Sequence, residues 1–359
     1  MLKQSEIKRK NTNTINVGNV KIGGKNPISV QSMTNTQTQN VKATVKQIKS
    51  LESAGCEIIR VAVPDMKAAK AISQIKEQIK IPLIADIHFD YRLAISAAEN
   101  GADAIRINPG NIGDFEQIQK VVKKAKEYNL AIRIGVNSGS VEKDLITKYG
   151  GPTAQSMVES ALRHIKLMNS LDFKNIKLSI KASDVPRTLS AYRLLSEKTD
   201  APLHLGVTEA GTLISGTVKS ALGIGMLLAE GIGDTFRVSL TRDPIEEIKV
   251  AYEILRALNI RRRGPEIISC PTCGRTAIPL FEIVESVEKK LQHIKSDIKV
   301  AIMGCPVNGP GEAIEADVGI AGGDGKGVLF KKGKIIKKFS QGQLVEALID
   351  AVNELDQEN

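Results

Sequence analysis

Three cysteines toward the C-terminal end of the chain have the types and spacing of a metal centre: Cys270-Pro-Thr-Cys273-Gly-Arg, then Met303-Gly-Cys305-Pro-Val-Asn-Gly-Pro-Gly-Glu312. A CxxC pair joined by a distant third cysteine supplies three thiolates and leaves a fourth coordination position open. One chemistry for such a set is a structural zinc site, tetrahedral and closed. The other is a 4Fe-4S cluster with one exchangeable iron, which soft thiolates and a missing or hard fourth ligand suit. Zinc sites usually close with a second CxxC or a histidine pair, and this region offers only His293. Prolines after Cys270 and Cys305 remove backbone donors, and Gly274, Gly304, Gly309 and Gly311 let the chain wrap a bulky inorganic core. Those features favour the cluster.

A second constellation is made of cations. Arg60, Arg106, Arg133, Lys181 and Arg237 each lie within or at the end of a short apolar, β-branched run, in company with Asp86-Ile-His88, Asn137, Glu209 and Ser239. An unpaired buried cation costs several kcal/mol, so five of them facing only Asp86 and Glu209 imply an absent anionic partner, a phosphate or diphosphate. Arginine binds such oxygens bidentately and lysine adds a point charge. The competing possibility is that some of these cations pair with the strand-start acids Glu57, Asp103 and Asp234. His88 follows Asp86 at a spacing that puts both on one strand face, where either could orient substrate or move a proton. Glu209 reads as an acid opening the next helix and as a proton donor in an otherwise positive pocket.

The elements that must position these residues follow from the hydrophobic pattern. Eight apolar runs, 28–33, 58–63, 83–87, 104–107, 131–136, 176–180, 203–207 and 235–240, alternate with stretches of helical periodicity such as 40–54 and 155–171. Eight strand-helix repeats predict an α/β fold, a (β/α)8 TIM barrel whose active site lies at the C-terminal ends of its strands. A hairpin over about 14–25 is expected to plug the barrel floor. The barrel should span 1–258 and a short basic link 259–266. A small α+β iron-sulfur cluster domain should occupy 267–359, with a helix over 279–293, a strand over 300–303, a β ribbon over 328–339 and a final helix over 343–355. The glycine-rich stretch Gly319–Gly327 fits no phosphate-loop spacing and reads as a turn. Cys56, leading into the second strand, reads as a small core residue at the floor.

Composition sets limits on these readings. The 359 residues carry 50 basic and 40 acidic side chains, a net charge of +10, and only 3% aromatic residues. The lysines lie along amphipathic segments and stacking platforms are scarce, so no nucleic-acid partner is expected. The first residues are charged, with no apolar core behind them, and no apolar run approaches a membrane span. A cytoplasmic protein without a disulfide framework is the expectation.

Arg106-Ile-Asn-Pro-Gly-Asn-Ile-Gly113, Arg133-Ile-Gly-Val-Asn-Ser-Gly-Ser140 and the two cysteine motifs resemble the 4-hydroxy-3-methylbut-2-enyl diphosphate synthase family of the non-mevalonate isoprenoid pathway. The resemblance covers nearly the whole chain, in the compact bacterial form. It implies reductive opening and dehydroxylation of 2-C-methyl-D-erythritol 2,4-cyclodiphosphate at a 4Fe-4S cluster fed by flavodoxin or ferredoxin. It further implies that Cys270, Cys273, Cys305 and Glu312 ligate the cluster, Glu312 leaving to admit substrate. Arg60, His88, Arg106, Arg133, Lys181, Arg237 and Ser239 would hold the diphosphate, with Asn137 and Asp86 beside the substrate and Glu209 a candidate acid. A head-to-tail homodimer would place one subunit's cluster over the other's barrel. The alternatives are a pterin-type transferase barrel with a structural zinc domain, and a zinc-ribbon nucleic-acid binder.

Overall fold

Strand runs that alternate large apolar residues with polar or small ones fold so that one set meets the surrounding helices and the other lines the lumen of a barrel. The computed structural model describes residues 7–305, 313–323 and 325–358. Chain contacts divide it into two units, one ending at Ile260 and one beginning at Arg261.

In the first unit, β1 (Ile15–Val17) and β2 (Val20–Ile22) form an antiparallel hairpin. Eight parallel strands follow: β3 (Ser29–Met33), β4 (Ile58–Ala62), β5 (Leu83–Asp86), β6 (Ala104–Ile107), β7 (Ala131–Asn137), β8 (Ile176–Lys181), β9 (His204–Leu205) and β10 (Thr235–Phe236). They pair in the order β8-β7-β6-β5-β4-β3-β10-β9. A parallel bridge between Leu178 and Leu203 joins the two ends and closes the barrel. The last two strands are shorter than the apolar runs that encode them. Pairing of β9 stops before Gly206, where the Lys181 ammonium occupies the space a Cβ would take, and an unbranched, side-chain-free residue holds a ladder weakly.

The main core lies between the barrel wall and the helices, where Ile59, Val61, Ile105, Ile132, Ile134, Leu178 and Ile180 are buried. Inside the lumen, apolar packing is confined to the floor: Ile15, Val17 and Ile22 of the hairpin meet Ile58, Ile84, Ala104 and Ala131. Asp65, Asp90, Asp114, Thr153, Asp184 and Asp243 each accept a backbone N–H at a helix start, which fixes where each loop at the mouth ends.

The strand-start acids belong to the floor. Asp103 accepts the Leu83 N–H at 2.7 Å and pairs with Lys76; Asp234 accepts the Leu203 N–H at 2.9 Å and bonds Thr12 and Arg9. Glu57 accepts the Val30 N–H at 2.8 Å. These bonds tie the acids to strand starts and, for Asp103 and Asp234, to Lys76, Thr12 and Arg9. Cys56 is buried here, its thiol donating to the Ile58 carbonyl at 3.2 Å.

The second unit is a five-stranded sheet of β11 (Glu266–Ser269), β12 (Lys299–Met303), β13 (Val318–Gly322), β14 (Lys326–Lys331) and β15 (Lys334–Ser340), in that order. The first three are parallel and the last two antiparallel. Helices Leu280–Lys290 and Leu344–Glu358 cover one face through Ile283, Val287, Leu348 and Val352. The expected Gly319–Gly327 turn is shorter than the stretch: Gly319 to Gly322 lie in β13 and Lys326 and Gly327 in β14, and the two strands pair antiparallel across it. A Cβ on Gly319 would stand 2.5 Å from the Phe330 ring and 2.7 Å from the Ala301 methyl, so packing, and not a bend, requires the glycine.

Candidate active site

Register decides which cations share the lumen. Asp86 is paired with Arg106, Arg106 with Arg133 and Arg133 with Lys177 across adjacent parallel strands, and Asn137 with Lys181. All of the Asp86, Arg106, Arg133 and Lys181 side chains are buried, as is Arg60 on β4. Lys177, Ser179 and Lys181 alternate with the outward Ile176, Leu178 and Ile180, so Lys177 is a sixth basic side chain in the lumen, deeper than the strand ends. The signal was present in that alternation.

Asp86 is the hub. Its carboxylate lies 3.8 Å from Arg60 Nε, 3.4 Å from an Arg106 terminal nitrogen and 3.5 Å from His88 Nε2. Burial works to raise its pKa, but Arg60, His88 and Arg106 together outweigh that and hold the carboxyl well below its usual range. Arg60 is itself pushed down to about 10 by burial, against the attraction of Asp86. Two glycines shape the cradle. A Cβ on Gly135 would stand 2.6 Å from Arg106 Nε, and Gly206 makes the same room for Lys181.

Arg237 requires a correction. It is not an unpaired cation: its guanidinium forks onto Glu247 at 3.2 and 3.1 Å, and Glu247 also accepts the Leu240 N–H and the Ser32 hydroxyl. Glu247 sits in the first turn of the helix Pro244–Ala257, where a Glu-Glu pair in sequence gives no sign that one of the two is buried. Glu209 also differs from expectation. It is exposed, with φ 53, in the loop ahead of the helix Leu213–Ala229, and it does not open that helix. Left-handed backbone is disfavoured for a side chain of this kind, so its loop is held rather than relaxed. Ser239 is half-buried beyond β10, and Asn137 is half-buried at the end of β7 with its N–H donating to Ser140 Oγ at 3.0 Å.

What remains without a partner defines the site. Arg133 gives one nitrogen to Ser179 Oγ at 3.1 Å, while its Nε and other terminal nitrogen are buried with no hydrogen bond, as is Arg106 Nε. Burial, then the neighbouring guanidiniums, push Lys181 and Arg133 well below their ordinary values. A guanidinium keeps its proton, so the penalty becomes affinity for an anion. The lumen is a cationic pocket with buried donors left unsatisfied.

In the second unit, Cys270 follows β11 and Cys305 follows β12, at the C-terminal ends of adjacent parallel strands. The Gly304 N–H donates to Cys270 Sγ at 3.3 Å, and the Ala277 N–H to the Gly304 carbonyl at 2.9 Å, which ties the CxxC loop to the Cys305 strand end. Cys273 is exposed; hydrogen bonding from the Arg275 backbone, then its side chain, lowers its thiol pKa. Among the described residues no group of three His, Cys, Asp or Glu side chains converges closely enough to hold a metal ion. Glu312 lies outside the described residues.

Two family models divide the chain between them: the GcpE TIM-barrel domain matches residues 12–252 and the GcpE protein C-terminal domain residues 266–354. The chain belongs to the GcpE family. Among curated relatives, a protein of Ruminiclostridium cellulolyticum is 60% identical over 97% of this chain and 99% of its own length. One of Caldanaerobacter subterraneus is 60% identical over 98% and 99%, and one of Desulfotalea psychrophila 59% over 98% and 98%. Each of those proteins is named 4-hydroxy-3-methylbut-2-en-1-yl diphosphate synthase (flavodoxin).

Within this GcpE chain the donor chemistry of the C-terminal loops fits an iron-sulfur group. Three thiols stand on loops from two neighbouring strand ends, one of them acidified, and a fully soft donor set suits iron and sulfide better than a hard cation. Cys56 differs from these three in setting and chemistry. It lies at the barrel floor in the other unit, and burial pushes its thiol up to about 12.

Proposed function

We propose that this chain reduces 2-C-methyl-D-erythritol 2,4-cyclodiphosphate to (E)-4-hydroxy-3-methylbut-2-enyl diphosphate, with flavodoxin or ferredoxin as electron donor. The observation that carries the reading is the lumen of buried cations with unsatisfied donors, on a chain whose two domains both match the GcpE family. Two electrons and two protons enter, the ring C–O bond to phosphate opens, and the hydroxyl leaves as water. A 4Fe-4S cluster held by Cys270, Cys273, Cys305 and Glu312 would supply one-electron reduction and a Lewis-acidic iron with an exchangeable position.

The chain's own residues divide the remaining work. Arg133 and Arg106 bind the diphosphate oxygens through the buried donors they leave free, and the buried Lys181 ammonium adds its charge beside them. Arg60 and Asp86 hold each other in place and set the orientation of Arg106. Ser239 adds a hydroxyl for the diphosphate, Asn137 lies beside the substrate, and His88 offers a donor for the diphosphate next to Asp86. Arg237 contributes whatever Glu247 leaves of its charge. Glu209, exposed on a constrained loop, is the candidate proton donor. The pterin-transferase reading with structural zinc is not favoured by a chain whose C-terminal part matches the GcpE domain.

Anaerobically purified protein is expected to be brown, to hold about four iron and four sulfide per chain, and to convert the cyclic diphosphate when given reduced flavodoxin. Stoichiometric zinc with no sulfide would show the redox reading to be wrong.

The active form in this reading is a head-to-tail homodimer in which the cluster of one subunit serves the barrel of its partner. A link of roughly eight residues spans at most about 28 Å, a tight tether for any fold-back. Mixing a Cys273→Ala variant with a Lys181→Ala variant should restore activity through heterodimers that pair one intact barrel with one intact cluster. If heterodimers form and remain inactive, catalysis runs within one subunit.

A further inference from the structure

Beneath the mouth the lumen holds a second tier that neither the hub at Asp86 nor the rim residues account for. Lys177 is fully buried, and its ammonium nitrogen has no hydrogen-bond partner. His204 on β9 is equally buried, with both ring nitrogens unpartnered. Thr235 Oγ1, on the residue paired with His204, is unsatisfied as well. The level is fixed rigidly: Tyr192 donates its hydroxyl proton to the His204 carbonyl at 2.6 Å and accepts the Ile180 N–H at 3.2 Å, which pins β8 against β9.

Each uncharged or unpaired polar group buried this way costs stability, and several at one level are retained only if something satisfies or uses them. The groups facing Lys177 are Arg133, its register partner on β7, and Arg60 on β4; those facing His204 are Arg133, Lys181, Lys177 and Arg60. All are cationic or neutral. No carboxylate stands among them, since Asp86 serves Arg60, Arg106 and His88, and Glu247 serves Arg237. In the free protein a full charge on Lys177 would be both dehydrated and repelled.

Resting on the diphosphate reading above, we propose that Lys177, backed by His204, is a positioning residue of the anion site: it makes no bond to the substrate, and it gains a proton when the diphosphate docks on Arg133 and Lys181, so that binding is coupled to proton uptake. The docked anion reverses the sign of the field in the tier below, and the new ammonium then holds Arg133 toward the ligand from behind. Burial, then Arg133 and Arg60, push Lys177 well below the ordinary lysine value in the free state, in keeping with this coupling. The sign follows from linkage. A group whose pKa is low in the free protein and raised in the complex makes affinity fall as pH rises between those two values, and has no effect outside them.

The test is calorimetric titration of inorganic pyrophosphate into the anaerobically prepared full chain, in two buffers of unlike ionisation enthalpy, between about pH 7 and about pH 9. Wild type is expected to take up protons on binding, and Lys177→Met to take up about one proton fewer with its cluster absorbance unchanged. A residue that merely filled space would shift the melting temperature and leave proton uptake alone. Equal uptake in wild type and variant overturns the inference while the anion site stands. Wild type that binds pyrophosphate with no proton uptake overturns it without any variant, even if Lys177→Met does not fold. Wild type that does not bind pyrophosphate at all counts against the diphosphate reading itself.

Discussion

Cys305→Ser is expected to strip the protein of iron, sulfide and turnover together, whereas Cys56→Ala should keep all three. Both cysteines are buried, so exposure does not separate them. Position does: Cys305 stands beyond the end of β12 next to the loop that carries Cys270, while Cys56 bonds a backbone carbonyl at the barrel floor. A hard oxygen in place of a thiolate is a poor ligand for iron in a cluster. Removing the Cys56 sulfur costs only a small cavity, about 1 kcal/mol. Iron and sulfide analysis of the two variants beside wild type decides the matter. Glu312→Ala should fall between them, with a labile cluster and most turnover lost. Iron loss in Cys56→Ala with none in Cys305→Ser would overturn the assignment.

Lys181→Ala should reduce kcat/KM by about ten- to a hundredfold, the value of one charge-assisted hydrogen bond to phosphate. Arg133→Met should do at least as much, because two of its donors are free in the lumen. Both side chains belong to the barrel unit and the cysteine loops to the other, so the visible absorbance of the cluster should be unchanged in both. Steady-state kinetics and spectra of the same preparations make the comparison. Unaltered kinetics in both variants would remove the anion pocket from the account.

The barrel was legible because β-branched runs and helical stretches alternate eight times, a pattern few other folds produce. Its mouth was legible because cations at strand ends have little reason to be there without a ligand. Lys177 escaped notice although Ile176-Lys-Leu-Ser-Ile-Lys181 displays it on the same face as Lys181, since attention to strand ends misses a residue placed deeper in the wall. Glu247 could not be assigned from sequence, because only the closed barrel turns one glutamate of a charged helix start inward to Arg237. Glu209 reads from sequence as an acid opening the next helix, but the helix begins farther on, at Leu213, and Glu209 itself has left-handed backbone.

Gly135 and Gly206 lie in the wall of the lumen and carry no side chain, yet each is the floor on which one cation rests, Arg106 and Lys181 respectively. A methyl group at either would drive that cation toward the barrel axis and narrow the mouth. The bore of the pocket is thus calibrated by two missing carbon atoms. An inhibitor that engaged Arg106 and Lys181 would meet two cations whose positions are set by backbone, an arrangement that point mutation at either glycine cannot easily reshape without closing the site to its own substrate.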